Sequence, residues 1–110
     1  MTTLLILYLV SGVLLIALTI PLLYNKIPPN SFYGFRVSQA ISDPQVWYAV
    51  NRYAARWLLF AGVSIVAAAI LLYLIPGISV DAYALGCLAV FTLTFTVGLV
   101  KSFRFLKSLK

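Results

Sequence analysis

The chain has 110 residues, 64% of them hydrophobic and only 9% charged, and its mean hydropathy is +1.08. Soluble domains carry roughly a quarter charged residues, so too few polar side chains exist here to cover the surface of a water-soluble globule. The same composition excludes a disordered chain, and the single cysteine, Cys87, excludes an internally disulfide-bonded scaffold.

Eight Lys and Arg against two acidic residues give a formal charge of +6. On a soluble fold that balance would point to nucleic acid, but here the cations flank apolar runs. Lys26, Arg36, Arg52 and Arg56 lie between the first and second runs, and Lys101, Arg104, Lys107 and Lys110 follow the third. That is the placement of anchors beside anionic lipid headgroups. The bilayer is the expected partner, and nucleic acid is not.

Three uncharged runs, residues 3–24, 57–75 and 82–100, are long enough to cross a bilayer as helices. Lipid offers no partners for backbone N–H and C=O groups, and the runs show no period-two alternation, so a β-barrel is excluded. The expected fold is an all-α membrane protein with three transmembrane helices in a single membrane domain covering residues 1–110. The first run has no positive residues ahead of it and no small-residue cleavage site after it, so it reads as a retained helix with Pro21 in its last turn.

Residues 25–56 form the informative loop. Pro28-Pro29 holds the chain extended, and Asn30-Ser31 and Gly34 are turn chemistry. Ser42 or Asp43 followed by Pro44 is a helix start, with a side-chain cap and proline in the first helical position. From Pro44 onward, Val46, Trp47, Val50, Tyr53 and Ala54 gather on one side of a helix, and Gln45, Tyr48, Arg52 and Arg56 on the other, with Asn51 at the border. This predicts an amphipathic loop helix on the cytoplasmic side between the first and second spans. No breaker follows it, so it either runs into the second span or bends near Ala54-Ala55.

The link over residues 76–81 carries no cation, and Asp81 in it reads as a helix N-cap. The basic tail continues the third helix, where cations also complement the helix dipole. The Lys/Arg bias puts loop and tail in the cytoplasm and the N-terminus outside, as expected of a multi-pass protein of the inner (plasma) membrane. Small residues align at Thr94, Gly98 and Ser102 and at Ser64 and Ala68, and such rows serve either a homo-oligomer or packing within one protomer.

Catalytic residue types are scarce. There is no His and no Glu, and the one Cys reads as a buried inert thiol, so most triads, zinc sites and carboxylate pairs are excluded. No enzyme activity, cofactor or metal is expected. No carboxylate lies inside the three runs, which weighs against proton-coupled transport. One polar set stands out: Asn30, Tyr33, Gly34, Arg36, Asp43, Trp47, Asn51 and Arg52. Either Arg36 and Arg52 hold headgroups while Trp47 sits in the interfacial belt and Asp43 merely caps, or the loop folds back and these residues form one packed cluster.

The run Ile27-Pro28-Pro29-Asn30-Ser31-Phe32-Tyr33-Gly34-Phe35-Arg36, followed by Ser42-Asp43-Pro44-Gln45-Val46-Trp47 and Asn51-Arg52, resembles the signature of the SdpI family of small bacterial membrane proteins. That pattern reads roughly N-x-x-[YF]-G-x-R-T, a short gap, V-W-x-x-x-N-R, and then two membrane helices. Asn30, Gly34, Arg36, Trp47, Asn51 and Arg52 fall on its positions, whereas Val37 stands where the family often has Thr and Ala55 where it often has Gly. The resemblance implies immunity to a secreted SdpC-like peptide toxin, bound or blocked at the membrane. The competing readings are a small oligomeric transporter or channel, or an intramembrane enzyme using the Asn/Arg/Asp loop.

Overall fold

A computed structural model of the chain describes residues 1–24, 26–28 and 43–108. Among the described residues the regular structure is helical throughout: α1 over Thr2–Leu23, α2 over Pro44–Tyr73 and α3 over Val80–Ser108. All three are long and apolar enough to cross a membrane. Their backbone polar groups are satisfied within each helix, the condition a bilayer imposes. The long axis measures 51 Å, against roughly 30 Å of hydrocarbon, so the helix ends reach into the headgroup layers.

The start of α2 follows from its first residues. The Asp43 side chain accepts a hydrogen bond from the Gln45 backbone N–H at 3.0 Å, and Pro44 occupies the first turn. The helix then runs without interruption to Tyr73. The amphipathic stretch from Pro44 to Arg56 is therefore the opening part of α2, and the structure shows no bend-separated loop helix there. The apolar period of its first turns and that of the span are in phase, and Ala54-Ala55 breaks neither. A second difference concerns α3. Its cap is Ser79, whose Oγ accepts from the Ala82 N–H at 3.1 Å, while Asp81 stands inside the first turn. Serine and aspartate both suit that position, and only the backbone path chooses between them.

α2 is the middle helix, antiparallel to both neighbours, and α1 and α3 pack against it far more than against each other. Close approach on the α1 side depends on two facing glycines. A Cβ added at Gly62 would lie 3.1 Å from the Gly12 carbonyl oxygen, and one at Gly12 would lie 3.0 Å from that of Gly62. Backbone contact of this kind is how helices associate in lipid, where apolar surface gains nothing by leaving hydrocarbon. On the α3 side, Gly98 sits against Trp57. Gly98 and Ser102 of the small-residue row are thus buried within one protomer.

Two buried clusters hold the ends. At one end Tyr83, Cys87 and Ala69 pack with Leu4, Leu5, Tyr8 and Leu9. The Tyr83 hydroxyl donates to the Ala69 carbonyl at 2.8 Å, and the Tyr8 hydroxyl to that of Ala84 at 3.1 Å. At the other end Trp47, Val50 and Leu106 form a core on which Ile27 and Phe105 pack. Lys26, Arg52, Arg56, Lys101, Arg104 and Lys107 belong to this second, basic end. The outer faces of the helices expose large apolar side chains, among them Leu14, Phe60 and Leu71, which is a surface for lipid rather than water.

Candidate functional site

The tyrosine end draws α1 and α3 together over α2, and toward the basic end they leave a crevice. Its volume is about 320 Å³. Leu15, Leu18, Thr19 and Leu22 form one wall from α1, and Thr94, Phe95, Gly98, Leu99 and Ser102 the other from α3. Asn51, Ala54, Trp57 and Leu58 of α2 form the floor. The lining is mostly apolar with a few oriented polar groups, the usual make-up of a ligand pocket.

Those polar groups are tied to their own helices. The Thr19 hydroxyl donates to the Ile16 carbonyl at 2.7 Å, Ser102 to that of Gly98 at 2.7 Å, and Thr94 to that of Val90 at 2.9 Å. The Asn51 side-chain amide donates to the Trp47 carbonyl at 2.9 Å. A hydroxyl whose proton is used in this way keeps acceptor capacity on its oxygen. The crevice can therefore accept hydrogen bonds as well as apolar contacts.

The motif residues take distinct places. Trp47 is 0% exposed and Asn51 2%. The indole Nε1 of Trp47 donates to the Ile27 carbonyl at 2.7 Å, tying the chain after α1 to the first turns of α2. Asp43 is the exposed cap of α2. Arg52 lies about 100° around the helix from Asn51 and lines a separate groove with Ala49, Tyr53, Arg56 and Phe105. Trp47 and Asn51 are thus brought together, and Arg52 is directed elsewhere. Asn30, Tyr33, Gly34 and Arg36 lie outside the described residues.

The sequence reading missed Thr19 and Trp57 as crevice residues and Tyr8 and Tyr83 as interhelical hydrogen-bond donors. One signal existed for the tyrosines: a phenol in an apolar run has to find an acceptor once buried.

With this geometry in hand, the comparison with known proteins is decisive for the family. The profile of the SdpI/YfhL protein family matches residues 26–102. The chain belongs to the SdpI/YfhL family. Uncharacterized protein YfhL of Bacillus subtilis (strain 168) is 37% identical over 54 residues, covering 46% of this chain and 49% of that protein. The chain thus spans about half the length of the curated relative it matches. No solved structure matches it. The family match takes in the buried Trp47 and Asn51, the crevice floor and most of α3.

Proposed function

We propose that this membrane protein confers immunity by capturing an apolar segment of a secreted, SdpC-like peptide toxin in the crevice between α1 and α3. The observation that carries the reading is the crevice itself: a laterally placed cavity of about 320 Å³ with walls from two helices and a floor that includes Asn51. A peptide entering hydrocarbon must satisfy its own backbone, so it arrives as a helix and offers a row of side chains. The crevice meets such a row with apolar walls and with hydroxyl oxygens that select for a polar side chain among them. Occupation would keep the toxin from assembling elsewhere in the bilayer. Under the positive-inside rule the basic end is cytoplasmic and the N-terminus of α1 external.

The test is a protection assay in a toxin-sensitive bacterium with crevice-filling variants. Ala54→Phe and Thr94→Phe occupy the cavity from its floor and one wall, and both should abolish protection at unchanged membrane abundance. Leu71→Phe, on an exposed apolar position of α2, should protect like the parent protein. Full protection by both filled variants would remove the crevice from the mechanism.

A further inference from the structure

The second groove, on the opposite side of α3 from the crevice, carries an independent inference. It measures about 150 Å³ and is lined by Ala49, Arg52, Tyr53, Arg56 and Phe105. Arg52 is half-buried and Arg56 exposed. They are one helical turn apart, which sets their Cβ atoms about 6 Å from each other on one face. The sequence has two side-chain carboxylates. Asp43 caps the start of α2 and Asp81 sits at the far end of the bundle, and among the described residues neither guanidinium forms an ion pair. Beside the arginines, Tyr53 and Phe105 stack face to face, with centroids 4.3 Å apart and planes 2° from parallel. Among the described residues the groove holds two cations with no carboxylate partner beside a stacked aromatic pair.

The same face of α2 continues below the arginines as an apolar row. Phe60 and Val63 follow at helical intervals of four and three, and they are 54% and 53% exposed. Neither α1 nor α3 covers them. We infer that this face binds one anionic phospholipid, its phosphate between Arg52 and Arg56 and its acyl chains along Phe60 and Val63. Guanidinium groups match phosphate oxygens in charge and in forked geometry. A free phosphate would use only the two cations, whereas the stacked aromatic pair and the apolar row below it are complementary to a diacyl lipid. Net negative charge is required, because a choline headgroup brings its own cation against the two arginines. The inference stands on this groove alone and does not depend on toxin capture.

Native mass spectrometry of the full chain, released from mild detergent, tests it with dioleoyl phosphatidylglycerol, dioleoyl phosphatidylcholine and inorganic phosphate as probes. One phosphatidylglycerol adduct per chain is expected, well above the phosphatidylcholine signal and undisturbed by millimolar inorganic phosphate. Arg52→Gln or Arg56→Gln should weaken it about fivefold, and the double variant about thirtyfold. The double Arg→Lys variant should keep most of the preference because it keeps the charge, and Lys107→Gln should keep all of it. Circular dichroism on each variant separates loss of lipid from loss of helix. Equal binding of the two lipids, displacement by inorganic phosphate, preference retained in the folded double Gln variant, or a dimer carrying no lipid would each overturn the assignment.

Discussion

Trp47 is the side chain on which the basic end turns, and its two contributions can be separated by substitution. It is fully buried against Val50 and Leu106, with Ile27 packed alongside. Its indole N–H also donates to the Ile27 carbonyl at 2.7 Å. Trp47→Phe keeps most of the apolar contact and removes the donor. Ile27 is only half-buried, so water can reach the abandoned carbonyl and the cost falls at the low end of the usual range, about 1 kcal/mol. Trp47→Ala removes the ring as well and leaves a cavity among Val50, Leu106 and Ile27, which costs about 3–5 kcal/mol. Equilibrium unfolding in mixed micelles, followed by far-ultraviolet circular dichroism as SDS is added, reads both values. The expected order is parent, then Phe slightly below, then Ala well below. Equal losses for the two variants would mean that the hydrogen bond, not the packing, holds this end. A loss under about 1 kcal/mol for Trp47→Ala would refute the burial argument altogether.

Gly62→Leu should drive α1 away from α2, since even a Cβ there would stand 3.1 Å from the Gly12 carbonyl oxygen; an overpacking loss of about 1–3 kcal/mol is expected in the same unfolding assay, and an unchanged midpoint would show that the helices do not cross there. For topology, single cysteines at Ser79 and Ser108 in a Cys87→Ala background should be labelled by an impermeant maleimide in intact cells at Ser79 only, and the reverse pattern would invert the orientation. Cys87 itself is buried beside Tyr83, so in the parent protein a permeant maleimide should react with it only after SDS unfolding, and rapid labelling of the folded protein would contradict its burial.

Much of this architecture was legible in the sequence because it depends on local properties. Hydropathy over about twenty residues fixes that a segment crosses lipid, and the three runs at 3–24, 57–75 and 82–100 each lie inside or within two residues of an observed helix. The Asp43-Pro44 start was equally readable, since a cap requires only a side-chain oxygen two or three residues ahead of an orphan N–H. The basic tail continued α3 to Ser108 for the same local reason. Trp47 and Asn51 stood out within an apolar chain as residues that would need a partner or a packed environment, and both are buried.

The tertiary structure alone decided which faces meet. In a run that is apolar on every side, periodicity gives no direction, so nothing in residues 2–23 marks Gly12 as the point of contact with Gly62. The placement of Asn51 and Arg52 shows the same limit from the other side: adjacent in sequence, they differ by about 100° around α2, and the positions of α1 and α3 then send one to the crevice floor and the other to the basic groove. The crevice exists because the tyrosine contacts close one end of the α1–α3 gap while Trp57 against Gly98 sets the spacing of α2 and α3 further along. Composition determines that a helix enters the bilayer, whereas the shape left between helices depends on contacts between residues far apart in the chain, such as Tyr8 with Ala84 and Trp57 with Gly98, and no local pattern encodes those.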